Sequence, residues 1–270
     1  MSGAANLMIR WGLAVDGPSR RGWMSTVWPV RTRDGRRLVL KLLDAHHPAT
    51  GEDLALRAWA ADETTAGRVV RLETGEGHTL LLERLDADRP LEHHPDAAAA
   101  DETIGDIIAT LTAVVAPAKI PRARAEADRI AASIRDRAAS GIVPSDRVDR
   151  ALRTLAEAPD GDRLLHWDLH YLNVLRDLED RRWVAIDPLP KAGVPEWDVV
   201  AALRNRWPDV AAHPDRLLRE RLHRLCAPGG LDEDLAAALA QAVAVDNVLH
   251  LVPAQPDHLL LPPYLVLAGW

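Results

Sequence analysis

His166-Trp-Asp-Leu-His-Tyr-Leu-Asn173, followed downstream by Val184-Ala-Ile-Asp-Pro188, is the stretch that decides the reading. A polar cluster sits between two short apolar pieces, Leu164-Leu165 and Val174-Leu175. Asp168 opens a loop, Asn173 closes it, and Asp187 ends the next apolar strand. Phosphoryl transfer needs an acceptor for the proton of the attacking hydroxyl, and oxygen ligands for Mg²⁺ at the phosphates. Asp168 suits the first task. Asn173 and Asp187 suit the second, from two sides. A cation is also needed. Lys41 is an unusual choice in a chain that otherwise uses Arg, and at the end of an apolar strand its ammonium is a compact point charge. Glu52, at the start of the following helix, can pair with it, although a helix start favours Glu in any case.

Working outward, the first third reads as β-rich. Val27 to Arg33 and Arg36 to Leu43 flank Asp34-Gly35, a strong hairpin signal. Glu52 to Asp62 reads as a helix, and Arg68 to Leu72 with Thr79 to Leu85 as a strand pair. Past the Asp-rich segment Leu85 to Arg89 the periodicity turns helical: Asp96 to Val115, Arg122 to Ala139 and Asp146 to Ala158. A short β-like patch spans Leu164 to Ile186. Helices follow at Glu196 to Arg206, Pro214 to Leu225 and Glu233 to Leu251. The expectation is α+β with two segregated parts, residues 1–85 and 86–270, and a ligand cleft between them.

The 270 residues are 47% hydrophobic and 27% charged, enough to build a sizeable core in one large domain or two small lobes. A net charge of −7 speaks against nucleic acid as partner and suits a cationic ligand. A single cysteine, Cys226, permits neither an internal disulfide nor a Cys-based zinc site. The N-terminal segment lacks the apolar run of a signal peptide, and no stretch reads as a membrane span. A cytoplasmic protein without a membrane partner is the expectation.

The pattern HxDxxxxN followed by an apolar strand ending in Asp resembles the catalytic and metal loops of aminoglycoside and choline kinases. A longer ordered set is closer still: Trp11-Gly-Leu-Ala-Val-Asp-Gly-Pro18, Val27-Trp-Pro-Val30, Val39-Leu-Lys-Leu42, Leu56-Arg-Ala-Trp59, Leu81-Leu-Glu-Arg-Leu85, Ala185-Ile-Asp-Pro188 and Leu203-Arg-Asn-Arg206. Together these resemble the aminoglycoside/hydroxyurea antibiotic-resistance kinases, over roughly Trp11 to Arg206. The resemblance implies a two-lobed protein-kinase-like fold with a small β-rich nucleotide lobe and a larger helical lobe. It implies ATP, with GTP as the other option, and Mg²⁺. Asp168 is then the catalytic base, Asn173 and Asp187 the metal ligands, Lys41 the contact to the α/β-phosphates and Glu52 its orienter. Backbone groups of Glu83 to Leu85 hold adenine, while His166 and Asp198 support the catalytic loop. The acceptor is a hydroxylated, cationic small molecule of the streptomycin type.

The loop departs from that family pattern in two places. Trp167 stands where glycine is usual, and Tyr171-Leu172 where Pro-Gly is usual. Both are expected to crowd the floor of the acceptor site. Two other functions stay open. A metal-dependent hydrolase would use His166, Asp168 and His170, which strict alternation would place on one side of a strand. A kinase-fold pseudoenzyme would keep the nucleotide site without turnover.

Overall fold

Alternating strand residues around Asp34-Gly35 build the first hairpin, and the rest of the N-terminal sheet grows from it. In the computed structural model, which describes residues 3–22, 25–44 and 51–270, α1 (Gly3–Arg10) precedes β1 (Ala14–Val15), β2 (Arg20–Arg21), β3 (Ser25–Arg31) and β4 (Arg37–Leu43). β3 and β4 pair antiparallel along their whole length, from Ser25↔Leu43 to Arg31↔Arg37. Gly35 takes φ 89° in the turn, a region that glycine enters without a Cβ clash. α2 (Glu52–Ala60) leads to β5 (Leu72–Glu76) and β6 (Thr79–Glu83), completing an antiparallel sheet of order β1-β3-β4-β6-β5 with β2 on β3.

The period of two in β4 places Lys41. Leu38 and Leu40 join Val30 and Leu81 in a small core on one face, packed with Met8, Trp11, Leu13 and Trp28. Lys41, an odd number of residues along, turns to the other face and meets α2. Leu56 and Trp59 of α2 are fully buried there, and Trp59 Nε1 donates to Leu111 O at 3.0 Å.

The second part contains β7 (Leu85–Pro90), α3 (Ala97–Leu111), α4 (Ala123–Arg137), α5 (Ser145–Glu157), β8 (Arg163–Leu165), β9 (Val174–Asp177), β10 (Trp183–Ala185) and β11 (Lys191–Gly193). α6 (Val199–Leu203), α7 (Trp207–Val210), α8 (Pro214–Cys226), α9 (Glu233–Ala254) and α10 (Leu261–Leu267) follow. The strands form two small antiparallel sheets, β10-β9-β7 and β11-β8. A β-rich first part and a helical second part are therefore segregated as the sequence predicts.

Several element boundaries differ from the sequence reading, each for a physical reason. Leu85 to Arg89 reads as a boundary, yet it forms β7 and pairs with β9. The strand expected from Arg68 begins only at Leu72. Val70 N instead donates to Ala185 O at 2.8 Å, lashing the first part to the second. Glu196 to Arg206 is not one helix. Pro195 starts a 3₁₀ turn over Pro195–Asp198, and α6 takes over from it. α10 escapes sequence reading because Pro262-Pro263 looks like a break, although proline fits the first turn of a helix. α9 corrects the expectation that no stretch could span a membrane, since it is long and apolar enough by composition. More than half of its most apolar 18-residue stretch is buried within the protein, as befits a core helix.

Candidate active site

Hairpin register explains how distant residues meet. β9 and β10 pair Val174 with Ala185, so Asn173 just before β9 and Asp187 just after β10 emerge at the same end. Ile186 N donates to Asn173 O at 2.8 Å and fixes that end. Asn173 Nδ2 donates to the Asp168 carbonyl at 2.9 Å and to its carboxylate at 3.3 Å. One loop thus ties Asp168 to Asn173, and one hairpin ties Asn173 to Asp187.

Lys41 closes the group from the N-terminal sheet. Its Nζ lies 2.8 Å from both carboxylate oxygens of Glu52 and 3.1 Å from Asp187 Oδ1. Lys41 and Glu52 are 2% and 1% exposed, whereas Asp187 is 47% exposed. Burial pulls the ammonium pKa down, but the carboxylates of Asp187 and Glu52 outweigh it and hold it above the ordinary lysine value. Asp187 adopts φ 57°, a left-handed conformation that Asp tolerates better than most residues.

Asp168 has a partner that sequence reasoning missed. Arg204, at the C-terminal end of α6, donates from Nη2 to Asp168 Oδ1 at 2.9 Å and from Nη1 to the Tyr264 hydroxyl of α10 at 3.0 Å. His170 Nε2 stands 3.7 Å from Asp168 Oδ2, too far for a hydrogen bond, so Arg204 is the stronger contact. Burial would raise the Asp168 carboxyl, but His170 and Arg204 outweigh it and hold it below the usual carboxylate range. The sequence signal for Arg204 is the charged run Leu203-Arg-Asn-Arg206, to which the sequence alone assigns no role. Nothing in the sequence marks Tyr264, since its helix hides behind two prolines.

Beneath the loop, Asp198 accepts from His166 N at 2.8 Å and from Trp167 N at 2.6 Å, one bond to each oxygen. Complete burial pushes its carboxyl up to about 7, while these two backbone donors pull the other way. The clamp matters because Trp167 has φ 69°. A bulky residue in that region costs about 1–2 kcal/mol and persists only where its surroundings over-determine it. His166, Asp168 and His170 lie outside any strand, so the alternation expected of them does not apply. Among the described residues, no group of three His, Cys, Asp or Glu side chains is placed to hold a metal ion.

The His166 ring is committed elsewhere. It is fully buried, stacks on Trp59 at 6.4 Å, and lies 2.9 Å from Ile186 O through Nε2. A carbonyl only accepts, so Nε2 carries the proton. Nδ1 is buried without a partner, and protonating it would add a second donor with nothing to receive it. Burial accordingly pushes the His166 pKa down to about 4 from 6.5. As pH falls below 6.5 the unfolded chain takes up a proton that the folded chain refuses. Stability is therefore expected to drop by roughly 3 kcal/mol between neutral pH and pH 4 on account of this residue. Denaturant titrations across that range should show a shallower pH slope for His166→Asn. Equal slopes would contradict the assignment.

Glu83 and Leu85 lie outside the Lys41–Asp187 network. The Glu83 carboxylate accepts from Arg71 N at 2.9 Å and from Arg182 at 3.0 Å, and Leu85 is buried opposite Asp177. Tyr171 does not crowd an acceptor floor as expected. It is fully buried and its hydroxyl donates to Asp101, which also receives Arg224 at 2.8 Å. Leu172 is half exposed. Of the two departures in the loop, Trp167 remains beside Asp168.

This two-part architecture, a small antiparallel sheet joined to a helical body, is that of the protein-kinase-like phosphotransferases. It is shared with macrolide 2'-phosphotransferase MphH from Brachybacterium faecium, at TM-score 0.60 and 17% identity over 99% of this chain and 98% of that one. It is also shared with a thermostable variant of aminoglycoside phosphotransferase APH(4)-Ia in ternary complex with AMP-PNP and hygromycin B, at TM-score 0.62 and 13% identity over 100% and 97%. Residues 10–248 match the aminoglycoside/hydroxyurea antibiotic resistance kinase family, and the chain belongs to it. Relatives include streptomycin 6-kinase of Streptomyces glaucescens, 38% identical over 90% of this chain and 80% of that protein. Hydroxyurea phosphotransferase of Kitasatospora aureofaciens is 41% identical over 91% and 71%.

Proposed function

We propose that this protein transfers the γ-phosphoryl group of ATP to a hydroxyl of a small cationic molecule, with streptomycin-like compounds as the favoured acceptors. One observation carries the reading. Lys41 from the N-terminal sheet and Asp187 from the helical part are in contact, while Asn173, at the same hairpin end as Asp187, is hydrogen-bonded to Asp168. Residues 1–85 serve as the nucleotide lobe, with backbone groups of Glu83 to Leu85 at adenine. Residues 86–270 carry the catalytic loop and the acceptor site. The family and the net charge of −7 both suit a cytoplasmic kinase acting on small cationic molecules.

The chemistry follows from the side chains. Lys41, oriented by Glu52, meets phosphate oxygens as a point charge. Asn173 and Asp187 fit Mg²⁺, because both present oxygen. The Asn173 amide nitrogen is already engaged as a donor, leaving its carbonyl oxygen, and Asp187 keeps one oxygen free of Lys41. Bound there, Mg²⁺ supplies charge neutralisation at the phosphates. Asp168 orients the acceptor hydroxyl and takes its proton as the new P–O bond forms and the bond to the ADP oxygen breaks. Arg204 fixes the carboxylate in place for that task.

Thermal shifts test the nucleotide half. ATP with Mg²⁺ should raise the melting temperature, and a chelator should remove most of the rise. Lys41→Ala should weaken ATP use roughly 10–100-fold, since a charge-assisted contact is lost. The buried ion pair adds a second effect: an unpaired Glu52 carboxylate should cost about 3–5 kcal/mol of stability. Lys41→Ala combined with Glu52→Gln should recover stability without recovering nucleotide use. Recovery of both would deny Lys41 its phosphate role.

A further inference from the structure

Residues 83–85 carry the chain from the N-terminal sheet into β7, and two of their side chains are tied to opposite parts of the molecule. Arg84 reaches back into the sheet. Its guanidinium donates to Val30 O at 2.8 Å, to Leu38 O at 3.2 Å and to the Asp16 carboxylate at 2.7 Å. Glu83 reaches the other way. Its Oε2 accepts from Arg182 Nη2 at 3.0 Å and its Oε1 from Arg71 N at 2.9 Å, so both oxygens are used.

Arg182 is the hub of the second tie. It stands immediately before β10, in the β9–β10 hairpin of the helical part. Its Nε donates to Asp177 Oδ2 at 3.2 Å within that hairpin, and its Nη1 to Gly67 O at 2.7 Å in the N-terminal part. With Nη2 on Glu83, all three guanidinium nitrogens hold acceptors. The Asp177 carboxylate is itself locked, since its Oδ1 accepts from Arg181 N at 2.7 Å. Gly67 permits the close approach: it has φ 92°, and a Cβ there would lie 3.0 Å from Arg182 Nη1. Farther along, Ala185 N donates to Arg68 O at 2.9 Å and Val70 N to Ala185 O at 2.8 Å, which continues the seam.

The two ends of one short strand thus do different work. Ahead of β10, Arg182 grips Glu83; beyond it, Asp187 meets Lys41. A segment that joins two parts has a few backbone torsions able to absorb a shift between them. Hydrogen-bonded reading of a base edge tolerates little such shift, because these bonds weaken steeply with poor angle and distance. A planar fork bonded at three points removes that freedom before the ligand arrives.

We propose that Arg182 is a positioning residue for the nucleotide base, holding the Glu83–Leu85 backbone in fixed relation to β10 and Asp187. The proposal rests on the kinase reading above, in which that backbone holds adenine, and adds the residue that holds the backbone. In this role Arg182 touches neither base nor phosphate.

Affinities for ATP and for inorganic tripolyphosphate, each with Mg²⁺, give the test, because the second offers phosphates without a base. Arg182→Met keeps an aliphatic stem and removes every donor. It should weaken ATP roughly ten-fold and leave tripolyphosphate unchanged. Arg182→Lys keeps the charge beside Glu83 but cannot bond at three points. It should show a smaller loss with the same selectivity, and it serves where the Met variant does not fold. A merely structural role would weaken both ligands alike, or lower the melting temperature with both affinities intact. Either result overturns the proposal and leaves the kinase reading standing if the wild-type protein transfers phosphate. Wild-type protein that binds ATP no more tightly than tripolyphosphate also overturns it, since no base is then read. If the wild-type protein binds neither, the kinase reading fails and takes the proposal with it.

Discussion

Asp168→Asn is expected to slow phosphoryl transfer by roughly 10²–10⁴-fold, the range that general base catalysis contributes. An alcohol is a poor nucleophile at neutral pH and must shed its proton as the P–O bond forms. The Asp168 carboxylate is partly exposed, with one oxygen on Arg204 and the other near His170. An amide of the same size can still accept from Arg204, which also keeps its bond to Tyr264. The fold should therefore change little, and so should nucleotide binding, because Lys41, Glu52 and Asp187 are untouched. Single-turnover transfer and nucleotide affinity, measured on the same preparation, separate the two. Near-normal transfer by the variant would place the base elsewhere.

Asp187→Asn should raise the Mg²⁺ requirement by at least roughly 10–100-fold, the loss seen when even the partners of metal ligands are removed. It should also loosen Lys41, which loses one of two carboxylate partners. The double consequence is specific. A metal ligand with no link to Lys41 would change the magnesium titration and leave ATP affinity at saturating metal alone. Titrating Mg²⁺ at several ATP concentrations distinguishes these cases. Full activity under chelation would leave Asn173 and Asp187 without a metal to hold.

The residues in this network differ in how far the sequence betrays them. Asp168, Asn173 and Asp187 are legible because their spacing is dictated by one loop and one hairpin, both local in the chain. Lys41 is legible because a lysine in an arginine-rich chain, set in an apolar strand, stands out. Its nearly complete burial is not legible, since it depends on α2 covering one face of β4. Arg204 and Tyr264 escape for a related reason. Their relation to Asp168 arises from packing of α6 and α10 on the loop: Arg204 bonds to Asp168 across 36 residues of chain and to Tyr264 across 60. The α10 helix itself hides behind a Pro-Pro pair that mimics a break. Tyr171 reads as part of the acceptor floor because it lies in the loop between Asp168 and Asn173. Only the buried Asp101 of α3, which also receives Arg224 of α8, shows that its side chain turns into the core instead.

The most direct test of the central claim is product analysis with the wild-type protein, ATP, Mg²⁺ and a panel of hydroxylated acceptors headed by streptomycin and hydroxyurea. ADP and a singly phosphorylated acceptor are expected in equal amounts, with the formation of both abolished by a chelator. ATP consumed to ADP and free phosphate, with no acceptor modified, would contradict the kinase mechanism.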